Sequence, residues 1–221
     1  MYYGVATSKH HRIFRLHLEN VGMVFECIDG ILYEVIRPRP ILTRAQKIDF
    51  HNQFLDGITH LHSFGLSHGD LSLLNIQMTH SSDTIKLLDF GHSVSIDSIF
   101  VSPSDEPVDP FQNLARNWSG TAPPKKVEQI HPGTWPFAAP EVLRGECQDP
   151  LLADAYSFGM ILVTIDRVEV VDLKPWEQRK GVVPDSLFAG CEVFEEPLRA
   201  YLRRWDLRRR LSKDDIMSVD G

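Results

Sequence analysis

Apolar and polar residues alternate from Ile13 to Leu18, and a second apolar run spans Met23 to Ile28 after the turn-prone Glu19-Asn20. A period of two predicts β-strands, so the opening of the chain reads as β. Asp29-Gly30 breaks the run, the chain turns before Ile31 to Ile36, and Arg37 to Pro40 is a proline-marked connection. At Thr43 the period lengthens. Thr43 and Gln46 have the Thr-x-x-Gln spacing of a capping box. Ile48, Phe54, Leu55, Ile58 and Leu61 then place an apolar stripe along a long helix that Gly65 closes as a left-handed cap. A loop carrying Asp70 and Asn75 follows, then a short strand around Ile76 and a strand from Thr84 to Leu88 that ends at Asp89. From Ser93 to Pro132 the chain is polar, rich in Pro, Ser and Asn, and aperiodic, which predicts a long loop or insertion. Asp149 before Pro150 reads as an N-cap with proline at the first helical position. The helix they open, through Ile165, is apolar nearly all round and is expected to be buried. Glu192 to Arg204 predicts an amphipathic helix, and Ser212 with Asp215 caps a short last one.

Composition narrows the classes. A chain of 221 residues allows one domain or two small lobes sharing a cleft, and 43% hydrophobic with 24% charged residues is the balance of a globular fold with a real core. A formal charge of -7 argues against a dedicated nucleic-acid surface. The basic run from Arg199 to Arg210 reads as a solvated helix end with one internal ion pair. Cys27, Cys147 and Cys191 are far apart and form no Cys-x-x-Cys, so reduced thiols in a cytoplasmic or nuclear protein are expected. Met1 to Arg12 is polar and lacks the character of a secretory signal. The apolar runs Val21 to Ile28 and Phe158 to Ile165 are too short to span a membrane, so no membrane partner is expected.

The chemistry concentrates in two acidic motifs, His68-Gly69-Asp70-Leu71-Ser72-Leu73-Leu74-Asn75 and Asp89-Phe90-Gly91. Two short strands would deliver one potential base and two potential magnesium ligands to one cleft. That suits phosphoryl transfer, in which a protein mainly positions groups and neutralises charge. His60 and His62 share a helix end without a third ligand at zinc spacing and take a structural reading. Trp135, Trp176 and Trp205 are read as packing anchors.

In order along the chain, these motifs resemble the eukaryotic protein kinase family. His68-Gly69-Asp70 with Asn75 is similar to its catalytic loop, and Asp89-Phe90-Gly91 to its metal-binding triplet. Gly133-Thr134-Trp135-Pro136-Phe137-Ala138-Ala139-Pro140-Glu141 resembles the segment ending in Ala-Pro-Glu, and Asp154-Ala155-Tyr156-Ser157-Phe158-Gly159 the start of the central buried helix. Asp206 and Arg210 fit the family's late Asp-Pro-x-x-Arg, with Leu207 for proline. The resemblance implies an α+β, protein kinase-like fold: residues 1–28 as a remnant of the β-rich N-terminal lobe, residues 29–221 as the mostly helical C-terminal lobe, and an activation-segment insertion at about 93–132. It implies ATP and Mg²⁺ as cofactors and phosphoryl transfer to Ser/Thr of a protein substrate. Asp70 would take or orient the substrate hydroxyl proton, helped by Thr134, and Asn75 and Asp89 would hold the metal. Glu26 and Ile28 would pair with the adenine edge at a hinge behind Phe25, with Gln77 at the adenine floor, where the family normally has a large apolar residue. His68, Phe90, Gly91 and Asp154 would be structural, and Glu141 would pair with Arg210.

The same comparison shows departures. A glycine-rich phosphate loop, a Val-Ala-x-Lys strand and the helix bearing that lysine's glutamate partner are missing from the sequence, as in an N-terminally truncated kinase. Ser72 stands where a lysine touches the γ-phosphate, and Gly69 where an arginine reads a phosphorylated loop. These predict weak or absent turnover. The alternatives are a pseudokinase-type interaction scaffold and a small-molecule phosphotransferase, since His-Gly-Asp with a downstream Asn also resembles aminoglycoside and choline kinase-like families. The protein substrate or binding partner stays open, as does the oligomeric state.

Overall fold

The computed structural model describes residues 2–8, 20–25, 30–79, 84–96, 133–181 and 183–218. Strand β1 (Tyr2–Ser8) pairs antiparallel with β2 (Asn20–Phe25), with Ser8 opposite Asn20 and Tyr2 opposite Phe25. Met23 to Phe25 of the second apolar run therefore lie in a strand, but its partner is the segment that reads as a polar start. The β-prone Tyr2, Tyr3, Val5 and Thr7 are easily overlooked beside the charged residues that follow them. The predicted strand Ile13 to Leu18 and the hinge positions Glu26 and Ile28 lie outside the described residues.

The segment from Ile31 to Ile36, to which the sequence pattern assigns no element, is mostly helical. Only Gly30–Ile31 forms a strand (β3), and Leu32–Ile36 is helix α1. Leu32 and Ile36, four residues apart, are both fully buried, which is the spacing of one helical face. A short, mostly apolar segment interrupted only by Glu34 cannot by itself distinguish a strand from one helical turn.

Helix α2 (Arg44–Ser63) begins as its capping box requires: Gln46 N–H donates to Thr43 Oγ1 at 3.2 Å and Thr43 N–H to Gln46 Oε1 at 3.0 Å. Its buried face is Ile48, Phe50, Phe54, Leu55 and Ile58, with His51 and Thr59 among them, while Leu61 of the expected stripe is only half-buried, and Gly65 at φ +66 ends the helix. Strand β4 (Leu66–Ser67) follows, then β5 (Ile76–Thr79) and β6 (Thr84–Leu87). β5 lies between β3 and β6 in a three-stranded antiparallel sheet, with Gln77 opposite Ile31 on one side and Lys86 on the other. Ile76 and Met78 point into the helical core, so Gln77 projects from the other face. β4 pairs with β7 (Val94–Ser95), so the segment read as irregular from Ser93 begins with an ordered strand anchored by buried Val94. Residues 97–132, the rest of that predicted insertion, lie outside the described residues.

Helix α3 (Pro140–Leu143) is one short turn. Helix α4 (Pro150–Arg167) is capped by Asp149, whose Oδ1 accepts from the N–H groups of Leu151 and Leu152 at 3.0 and 3.3 Å. It is buried over almost its whole circumference, as its all-round apolar sequence predicts. Phe158 at its centre packs against Phe54 of α2 and Tyr201, with ring centroids 4.7 and 5.5 Å apart. Each such side chain contributes about 1.5–3 kcal/mol by burial. Helix α5 (Pro175–Arg179) precedes α6 (Glu195–Tyr201), which is shorter than the Glu192 to Arg204 expected. A Cβ on Gly159 would stand 2.8 Å from a Leu202 methyl, so this glycine allows α4 and α6 to approach. The last turn, Lys213–Asp215, is a 3₁₀ helix with the Ser212–Asp215 capping box.

Cys147 and Cys191 are free and buried, and burial pushes their thiols up to about 12 and about 11. The tryptophans are not the anchors the sequence suggests, since Trp135, Trp176 and Trp205 are 41%, 55% and 36% exposed. Among the described residues, no helix is long and apolar enough to cross a membrane.

Candidate active site

The site is built outward from α4. Asp154 is 2% exposed, and its carboxylate accepts from His68 N–H at 2.7 Å, Gly69 N–H at 3.1 Å and His62 Nε2–H at 3.0 Å. A buried carboxylate is tolerated only with such donors. Here they fix the loop that carries Asp70 to the central helix. The structural reading of Asp154 and of His62 follows from these bonds. Among the described residues, no group of three or more His, Cys, Asp or Glu could hold a metal ion.

His68 locks the two acidic motifs together. Its Nε2 donates to the Leu88 carbonyl at 2.9 Å, which leaves Nδ1 to accept from Asp70 N–H at 3.4 Å. Its ring lies 5.1 Å from that of Phe90, and its carbonyl accepts from Ser93 Oγ at 3.3 Å. Leu88 N–H in turn donates to the Asn75 carbonyl at 2.9 Å. The loop and the Asp89-Phe90-Gly91 turn are thus one hydrogen-bonded unit.

Both oxygens of Asp70 are held. Thr134 Oγ1 donates to Oδ1 at 2.6 Å, and Asn75 Nδ2 donates to Oδ2 at 3.2 Å and to the Asp70 carbonyl at 2.8 Å. Asp70 is 8% exposed, so its carboxylate is oriented with little freedom. These bonds also orient the Asn75 amide: with Nδ2 turned to Asp70, the carbonyl oxygen Oδ1 is the atom left to face a cation. Asp89 sits at φ +58, a conformation costing a non-glycine residue about 1–2 kcal/mol, and its Oδ1 accepts from Gly91 N–H at 3.2 Å. That bond leaves Oδ2, on an exposed residue, for a ligand. One amide oxygen and one carboxylate oxygen are hard donors that fit Mg²⁺, which takes only one or two protein oxygens beside phosphate and water.

Other site positions divide. Gln77 faces away from the helical core. Ser72 is fully buried and its Oγ accepts from Leu74 N–H at 3.3 Å, so it is spent inside the loop. His92, unremarked in the sequence, brings Nδ1 to 3.7 Å from Asp70 Oδ2. The structure corrects the expected Glu141–Arg210 pair. Glu141 pairs with Arg208 through contacts of 2.5 and 3.2 Å, whereas Arg210 reaches Asp149 at 2.6 Å and is 55% exposed. In this turn Arg208 faces inward and the side chain two positions later faces solvent. Spacing within a run of three arginines does not reveal that.

The family model for the protein kinase domain matches residues 7–181. The chain is 32% identical over 117 residues to testis-specific serine/threonine-protein kinase 4 of Homo sapiens, covering 52% of this chain and 31% of that protein. It is 27% identical over 158 residues to the probable serine/threonine-protein kinase RTK1 of Saccharomyces cerevisiae, covering 71% and 20%. Against mitogen-activated protein kinase kinase kinase 13-A of Xenopus laevis it is 28% identical over 158 residues, covering 72% and 12%. The chain therefore spans less than a third of the length of each of these relatives. With a family match over most of its length, and with that family's catalytic-loop and Asp-Phe-Gly motifs joined in one hydrogen-bonded site, the chain belongs to the protein kinase domain family.

Proposed function

We propose that this chain carries the base and metal side of a protein kinase site, transferring the γ-phosphoryl group of ATP to a Ser or Thr hydroxyl of a protein. The observation that carries the reading is the Thr134–Asp70–Asn75 arrangement, in which both carboxylate oxygens are pinned by donors. Asp70 would receive the hydroxyl proton as the acceptor oxygen attacks phosphorus, and a fixed carboxylate within hydrogen-bond reach is what that step needs. Asn75 Oδ1 and Asp89 Oδ2 would hold Mg²⁺, which neutralises charge on the phosphate oxygens when bound. Residues 1–28 are read as part of an N-terminal lobe and residues 29–221 as the C-terminal lobe. Gln77, from the C-terminal lobe, would lie beneath the adenine, with Glu26 and Ile28, at the end of the N-terminal segment, along its edge.

Turnover is expected to be slow. Buried Ser72 offers no cation to the transferring group, and one lost preorganised electrostatic contact commonly costs about 2.7–4 kcal/mol. That same observation favours a second reading, a scaffold that binds partners through the helical lobe without turnover. A thermal-shift titration with Mg-ATP tests the nucleotide half of the proposal. Stabilisation at millimolar Mg-ATP that disappears in Asp89→Ala is expected. No shift in the wild-type chain contradicts it.

A further inference from the structure

Gln178 is an uncharged side chain 1% exposed on α5, far in sequence from either acidic motif. Its Nε2 donates to the carbonyls of Pro136, at 2.6 Å, and Ala138. Those carbonyls belong to the turn that starts at Thr134, whose own carbonyl accepts from Phe137 N–H at 2.8 Å and Ala138 N–H at 3.1 Å. The Thr134 hydroxyl then holds Asp70. Beneath the turn, Ser157 Oγ on α4 donates to the Phe137 carbonyl at 2.8 Å. One amide donor thus ties two carbonyls of a single turn to α5, and that turn has a single polar side chain aimed at the base.

We infer that Gln178 is a positioning residue for Asp70, acting through the Pro136–Ala138 carbonyls and Thr134. The inference rests on the proposed role of Asp70 for its kinetic consequence but not for its structural one. With the amide removed, two buried carbonyls lose their donor, the turn loosens, and Thr134 is no longer held within 2.6 Å of Asp70 Oδ1. A residue that matters only for overall stability would act independently of Thr134. A residue acting through the turn would not, because its effect vanishes once the Thr134 hydroxyl is gone.

The test uses the full chain carrying Gln178→Met, with Gln178→Asn as a second variant that keeps an amide on a shorter arm. Amide hydrogen exchange is the first readout. Exchange at Phe137 and Ala138 should quicken about tenfold or more in either variant while the centre of α4 keeps its protection. Unchanged exchange at both amides overturns the inference whatever the catalytic result. Phosphotransfer from Mg-ATP to a Ser/Thr peptide is the second. Gln178→Met should lower kcat about tenfold, and the Thr134→Val/Gln178→Met double variant should be no slower than Thr134→Val alone. Multiplying losses in the double variant overturn the positioning route. A wild-type chain without turnover counts against the proposed function and leaves the exchange result to decide this one.

Discussion

Arg208 and Glu141 form a buried, doubly hydrogen-bonded ion pair, with side chains 1% and 4% exposed. The Arg208 guanidinium also donates to the Leu152 carbonyl at 2.8 Å and the Arg203 carbonyl at 3.1 Å, and stacks 4.9 Å from the Tyr156 ring centroid. The pair ties α3 to the N-terminal half of α4 through Glu141 and the Leu152 carbonyl. The arginine that pairs with Glu141 is therefore not the one the late motif marks.

Removing either partner strands a charge in the core. Arg208→Met should cost about 3–5 kcal/mol of unfolding free energy. Arg210→Met, which loses only the half-exposed contact with Asp149, should cost about 1 kcal/mol or less. Urea denaturation of both variants checks the ranking, and a larger loss at Arg210 would reverse the assignment.

Asp154→Ala would leave His68 N–H, Gly69 N–H and His62 Nε2–H without their acceptor. Each buried unsatisfied donor costs about 1–3 kcal/mol, so a loss of at least about 2 kcal/mol is expected. Hydrogen exchange at His68 and Gly69 should rise in parallel, which separates a loosened loop from a general loss of stability.

Thr134→Val keeps the shape of the side chain but removes the donor on Asp70 Oδ1. A hydrogen bond to a charged group is worth about 1.5–3 kcal/mol. kcat should therefore fall roughly 10- to 100-fold, with Mg-ATP affinity unchanged because Thr134 is not among the proposed metal or nucleotide contacts.

His51 supplies a pH dependence. It is fully buried, its ring lies 5.5 Å from Phe194 and 5.6 Å from Phe158, and its Nδ1 donates to Asn52 Oδ1 at 2.9 Å. Burial holds its pKa below the usual 6.5, against smaller upward pulls from the Asn52 hydrogen bond and the Asp215 charge. As pH falls below 6.5 the unfolded chain takes up a proton that the folded chain resists. Stability is therefore full above that pH and declines on acidification. Between about pH 7.5 and about pH 5.5 the urea midpoint should fall, and it should fall less in His51→Phe. Equal slopes in the two proteins would remove His51 from the acid response.

What was legible in the sequence was local. The Thr43–Gln46 box, the Asp149-Pro150 start and the Ser212–Asp215 turn are decided within four residues, and each lies where its spacing indicates. The catalytic-loop and Asp-Phe-Gly residues also meet as expected, because short strands flank them and their polar atoms satisfy one another. What was not legible depended on burial between distant segments. α1 is helical with Leu32 and Ile36 both in the core, a burial that the short segment from Ile31 to Ile36 does not reveal. Arg208 rather than Arg210 faces inward, just after the Trp205–Leu207 turn, and adjacent arginine letters do not show which one is buried. Gln178 has no motif at all, and it can be identified only once α5 lies against the Pro136–Ala138 turn.

The most direct measurement is transfer of labelled γ-phosphate from Mg-ATP to a Ser/Thr protein substrate by the full chain, run beside Asp70→Asn. Slow, Mg²⁺-dependent transfer that drops about 100-fold or more in the variant is the predicted result. Transfer that survives Asp70→Asn, or a wild-type chain no faster than the variant at saturating nucleotide, would contradict the assignment of Asp70 as the base of a phosphoryl-transfer site.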